Sequence, residues 1–172
     1  MEKILHKDGR MREMFYYNRK LYPEYIKRGG ASFFIEPFAK QFCKGNGLDI
    51  GGISGSSFLD AKSINILNGD GFNAYNLPNE KYDYIFSSHT LEHIPNYVEA
   101  IEYWKEHLKE NGVLFLYLPH PSMEYWLPQN NRKHLHLFYP EYVHELLEDL
   151  GFKNVLHSEQ DLYWSFAVMG NC

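Results

Sequence analysis

The residues of this chain best suited to chemistry are histidines set just after apolar runs, and one acid set before a run of small residues. His89 and His93 follow Tyr82–Ser88, and His120 follows Gly112–Leu118 in Leu-Pro-His-Pro-Ser. His134 and His136 alternate in Lys-His-Leu-His-Leu-Phe, ahead of a helical pattern. Imidazole titrates near neutral pH, so these side chains can take a proton from an oxygen or nitrogen nucleophile. The base role falls to His120 and His93. His134 and His136 are expected to face the same cleft, with Tyr125 and Trp126 able to stack on a substrate ring. The alternating pair lacks a third ligand at short spacing, and no metal is expected. The acid is Asp49, inside GLDIGGISGSSF, Gly47 to Phe58. Behind it the backbone carries almost no side chain, which lets a ligand approach closely.

These residues need elements to hold them. Leu48–Gly51 reads as a short buried strand running into the Gly/Ser loop, and Ser63–Leu67 as a second, stopped by Asn-Gly-Asp-Gly. Asn73–Leu77, Tyr82–Ser88 and Gly112–Leu118 follow as a third, fourth and fifth. Tyr97–Glu110 carries Val98, Ile101, Trp104 and Leu108 on one helical stripe, and Pro140–Leu150 repeats the pattern before Gly151. Phe152–His157 and Leu162–Met169 form a terminal hairpin, with one strand antiparallel at the edge. Strands alternating with helices, and continuous apolar runs, indicate a mostly parallel sheet covered on both faces. Ligands of such sheets sit at the carboxyl ends of the strands, where the Gly/Ser loop falls. Residues 1–46 read as a helical lead-in or lid, from the spacing of Met11, Met14, Phe15, Leu21 and Tyr25, with Gly29-Gly30 as a stop or hinge. Residues 47–172 form the ligand-binding domain, and the two parts make one compact unit.

The totals narrow the function classes. A chain of 172 residues can bury about two thirds of its unfolded surface as one domain. Its net charge of −5 argues against a dedicated nucleic-acid binder, although the first thirty residues are locally basic. Neither of the two cysteines, Cys43 and Cys172, lies in a metal-binding or redox spacing. The sequence holds no apolar run of membrane-spanning length, and a cytoplasmic protein is expected.

Four segments in order resemble the class I S-adenosylmethionine-dependent methyltransferases, in particular the small type 11 and ubiquinone-biosynthesis-like domains. Asp49-Ile50-Gly51-Gly52-Ile53-Ser54-Gly55 resembles their first motif, with Ile53 in place of the middle glycine. Asn73-Ala74-Tyr75-Asn76-Leu77-Pro78 resembles the adenine segment, with Asn73 replacing an acid. Tyr82–Ile94 resembles the fourth strand and its Leu-Glu-His, and Leu108–Val113 the lead-in to the fifth. The resemblance implies a doubly wound, Rossmann-like α/β fold with a mostly parallel seven-stranded sheet, and S-adenosyl-L-methionine as cofactor. It implies that Asp49, Gly51, Gly52 and Gly55 admit the methionine end, Asn65 or Asp70 the ribose, and Asn73 with Ala74 the adenine, while Ser88 and His89 close under the cofactor. The acceptor is expected to be a small molecule, sugar or glycan precursor. The rival readings are a cofactor-binding module without transferase activity and, third, a nucleic-acid methyltransferase.

Overall fold

The computed structural model describes residues 3–55 and 57–172; Ser56, within the Gly/Ser loop, lies outside the described residues. The chain opens with an antiparallel meander of β1 (Lys3–Leu5), β2 (Met11–Tyr17) and β3 (Lys20–Pro23). This corrects the helical reading of the lead-in. Asn18 and Arg19 both take positive φ, 47° and 63°, closing β2 and β3 with a two-residue hairpin turn. Only then come two helices, α1 (Tyr25–Arg28) and α2 (Ser32–Ala39), joined through Gly29 and Gly30 at φ 76° and 80°.

The main sheet follows, with β4 (Gly47–Ile50), β5 (Lys62–Ile64), β6 (Tyr82–Ser88), β7 (Leu108–Pro119), β8 (Lys153–His157) and β9 (Ser165–Asn171). Their spatial order is β5-β4-β6-β7-β9-β8. The first four run parallel, and β9 lies antiparallel between β7 and β8. The expected antiparallel strand is therefore internal, and the edge is β8. The sheet has six strands among the described residues, one fewer than expected. The missing one is Asn73–Leu77, which makes only a local bridge between Asn73 and Asn76. Asn73 Oδ1 accepts from the Tyr75 N–H at 2.8 Å, an Asx turn that competes with extension.

Side-chain alternation sorts the core into two faces. Ile85, Leu114, Leu116, Phe166 and Val168 point to the face covered by α3 (Tyr97–Glu106) and α4 (Pro140–Asp149). Tyr84, Phe86, Phe115 and Tyr117 point to the other, where α2 brings Ala39, and Phe58 stacks on Phe86 at 3.8 Å. Helix α3 ends four residues earlier than its sequence pattern, because Leu108 already pairs with Tyr82 in the sheet. Helix α4 ends in a Schellman motif: Phe152 N–H donates to Leu147 O and Gly151 N–H to Glu148 O.

No α-helix occurs between β4 and β5 or between β5 and β6 among the described residues; single 3-10 turns at Phe58–Asp60 and Ile66–Asn68 take their place. The chain passes from β4 outward to β5 and then back to β6 on β4's other side. The loops after β4 and β6 thus flank the point where strand order reverses, the usual position of a ligand crevice.

Candidate active site

A cleft of about 970 Å³ opens at that point. Its floor is the β4 loop. Asp49 is 4% exposed, and its Oδ2 accepts the Phe58 N–H at 2.8 Å. Burial pushes the Asp49 carboxyl up to about 6, against that hydrogen bond. Gly51 stands at φ +98°, and a Cβ there would lie 1.9 Å from Thr90 Oγ1; one on Gly52 would lie 2.1 Å from Asp49 Oδ2. Gly51 is thus required by the close approach of the β6 loop, and Gly52 by the Asp49 carboxylate folded back over it. Gly55 has open space around its Cβ direction and lies outside the cleft lining, whereas Ile53 lines the cleft and is half exposed.

The second wall is the β6 loop. Ser88 Oγ is buried with no hydrogen-bond partner among the described residues. His89 takes φ 46°, an uncommon backbone for a non-glycine residue, and hydrogen-bonds through Nε2 with Ser165 Oγ at 2.9 Å. The 3-10 turn Leu91–His93 then sets Glu92 inward, with no exposed surface. Burial drives Glu92 up to about 8, and drives His89 down to about 3 and His134 down to about 4, with neighbouring imidazoles lowering both further. Glu92 Oε1 lies 3.7–3.9 Å from nitrogens of His89, His93 and His134. Near neutral pH these contacts are not ion pairs, because the carboxyl is mostly protonated and His89 and His134 are neutral.

The roof comes from elsewhere in the chain. Tyr125, Trp126 and Asn130–His134 form one side, and Tyr25–Phe34 of the N-terminal segment the other. Trp126 Nε1–H donates to Ile26 O at 3.2 Å, and Phe15, Tyr22 and Ile26 pack with Met123 and Trp126. Lys20 and Asn18 both reach Glu124. Phe34 stacks on Tyr163 at 3.9 Å.

The structure therefore brings Asp49, Gly51, Gly52, Ser88, His89, His93, Tyr125, Trp126 and His134 into one cleft. His120 and His136 instead line a separate cavity of about 10 Å³, room for one water, that His134 and Trp126 also border. His120 Nδ1 is tied to Ser122 Oγ at 2.9 Å, and His136 Nε2 contacts Ile94 O at 3.0 Å. Asn65, Asp70, Asn73 and Ala74 also lie outside the cleft lining. Asn65 donates from Nδ2 to Gly51 O at 2.9 Å and accepts the Leu67 N–H at 3.0 Å, holding the loop to the end of β5. Asp70 accepts from Phe72 N–H, and Ala74 O from Trp104 Nε1–H. Glu92 is the site residue that sequence reasoning missed. Its signal was a carboxylate in the middle of an apolar turn, between Leu91 and Ile94, where only a partnered or functional acid belongs.

A trimmed doubly wound sheet with a polar crevice at its switch point defines the Rossmann-like class of nucleotide-cofactor enzymes. Comparison with known proteins narrows the class: a methyltransferase-domain family model matches residues 17–157. The chain belongs to that family and is an S-adenosylmethionine-dependent methyltransferase of class I. Among solved structures it resembles an S-adenosylmethionine-dependent methyltransferase from Archaeoglobus fulgidus, with TM-score 0.63 and 20% identity over 87% of this chain and 97% of the other. It also resembles a Thermotoga maritima protein described as a possible histamine N-methyltransferase, with TM-score 0.59 and 18% identity over 86% and 95%. A third is the Haemonchus contortus phosphoethanolamine N-methyltransferase 2, with TM-score 0.55 and 17% identity over 71% of this chain and 37% of that one. No curated protein matches. The residues present fit the cofactor: a buried carboxylate suits its cationic methionine end, and the orphaned Ser88 hydroxyl is a polar atom awaiting a partner.

Proposed function

We propose that the protein transfers a methyl group from S-adenosylmethionine to an oxygen or nitrogen of a small molecule, sugar or glycan precursor. The observation that supports this best is that a buried carboxylate beside close-packed glycines, and a group of histidines and aromatics, line the same cleft. One cleft is lined by Asp49, Gly51, Gly52 and Ser88 together with His93, His134, Tyr125 and Trp126; the first four are assigned to the cofactor and the other four to the acceptor. The nucleoside end of the cofactor is assigned to the β5 side of the loop, toward Asn65, Asp70, Asn73 and Ala74. The cofactor supplies a methyl already activated by sulfonium, so the chain's contribution is orientation, exclusion of water and removal of the acceptor's proton.

For the proton, His93 is favoured over His120. His93 Nδ1 lies 2.6 Å from Lys133 O, so it carries the hydrogen and leaves the Nε2 lone pair free in the cleft. The N-terminal meander and α1 supply the cover; they act as a lid whose hinge is Gly29-Gly30. Calorimetry tests the reading. The expected result is one S-adenosylmethionine per chain, weakened by Ser88→Ala and by Asp49→Asn; no heat at millimolar cofactor would overturn it in favour of a module without transferase activity.

A further inference from the structure

Glu92 is the most anomalous side chain in the molecule. It has no exposed surface and, among the described residues, no hydrogen-bond partner on either carboxyl oxygen. Buried polar atoms in native proteins are nearly always paired, so such a group asks for a missing partner. What faces it is imidazole: His93 Nε2 at 3.7 Å, His134 Nε2 at 3.9 Å and His89 Nδ1 at 3.9 Å from Oε1. These separations are too long for hydrogen bonds. They match the edges of a coordination polyhedron much better. Tetrahedral bonds of about 2.0–2.1 Å place ligand atoms roughly 3.4 Å apart. One ligand atom each from Glu92, His93 and His134 already lies within 4.8 Å of the other two.

The surroundings orient the same three residues. The Lys133 carbonyl holds His93 Nδ1, as an outer-shell acceptor holds a metal-binding imidazole. The Leu135 N–H donates to Glu92 O at 2.7 Å, which fixes the His134 loop against the Glu92 turn. We propose that Glu92, His93 and His134 bind a divalent transition-metal ion, with open coordination positions facing the cleft and His89 beside it. Two imidazoles and one carboxylate suit zinc, manganese or ferrous ions better than calcium or magnesium. Only the use of the ion rests on the methyl-transfer reading. Among the residues assigned to the acceptor it would hold an acceptor oxygen and lower its pKa, in place of His93, whose lone pair it occupies.

The test uses tag-free, chelator-stripped protein without S-adenosylmethionine, titrated with zinc(II) by calorimetry and with cobalt(II) by visible absorption. The expected result is one tight ion per chain, weakened at least about 100-fold by Glu92→Gln and by His134→Ala. The exposed cluster Glu141, His157 and Glu159 is the control, and His157→Ala should leave the tight ion in place. If Glu92→Gln does not fold, His93→Ala on a partly exposed side chain carries the same expectation. Absence of a tight ion, equal binding by all variants, or loss only in His157→Ala overturns the proposal. Because the cofactor is left out, none of these outcomes touches the methyl-transfer reading, and a failure to bind S-adenosylmethionine leaves the metal result standing.

Discussion

At position 51 a methyl group has nowhere to go, since Thr90 Oγ1 stands 1.9 Å from where it would be and the backbone is at φ +98°. Gly51→Ala therefore combines a clash with a strained backbone and should cost about 2–4 kcal/mol in urea unfolding, while Gly55→Ala meets no clash and only the cost of its φ of +85°. The two substitutions look alike in sequence, where both glycines belong to one motif; only the neighbouring β6 loop separates them. Asp49 gives a pH prediction. Its carboxyl titrates near 6 in the folded chain, above its ordinary range, so the folded state holds the proton more tightly than the unfolded one. Its ionisation then subtracts stability as pH climbs from about 4 to about 6, by roughly 3 kcal/mol in the free protein. A cationic ligand prefers the ionised form, so S-adenosylmethionine affinity should strengthen between about pH 5 and pH 7. Calorimetry across that range should show the rise in the wild type and a flat profile in Asp49→Asn. Asp49 was legible because an acid at a strand end before glycines is unusual; Glu92 showed only as an acid in an apolar turn, and that it faces imidazole depends on His134, 42 positions further along the chain.

At the scale of elements, most strands and helices from residue 47 onward could be read because their apolar patterns are regular and their stops are Gly, Asn or Pro; Asn73–Leu77, where an Asx turn competes with extension, could not. Nor could the first 23 residues. Their aromatic residues fall at spacings that a helix would also accept, and the turns at Asp8-Gly9 and Asn18-Arg19, which the hairpins depend on, are short. Tertiary contact decides the matter: β2 and β3 lay Phe15 and Tyr22 against Met123 and Trp126. This anchor is testable. Trp126→Ala should cost about 3–5 kcal/mol, speed amide exchange in residues 11–28, and raise the dissociation rate of S-adenosylmethionine while leaving exchange in β7 unchanged.

Over the whole molecule, charge distribution separates the small-molecule reading from the nucleic-acid one. The basic N-terminal segment suggested an arm, but Arg12 pairs with Asp8, Lys20 with Glu124, Lys27 with Glu24 and Arg28 with Glu13. Arg12–Asp8 is largely buried, whereas the other three pairs are more exposed and add little stability. The four pairs do offset part of the positive field that phosphate would need, on a chain whose net charge is already −5. Retention on RNA or DNA columns should accordingly be weak, with no steep dependence on salt between about 50 and 200 mM. Among the described residues no helix is long and apolar enough to cross a membrane.

The three-residue edge strand β5 has a further consequence. It is bonded on one side only, no α-helix flanks it among the described residues, and Asn65 at its end carries the Gly51 carbonyl. The floor of the cleft is thus moored to the shortest strand in the sheet, and ligand and scaffold share their stability. Saturation with S-adenosylmethionine at about 100 times its dissociation constant would add about 2.7 kcal/mol. Hydrogen exchange should place that protection first at Ile64 and Asn65, so that the empty enzyme frays from the side on which the loaded one is braced.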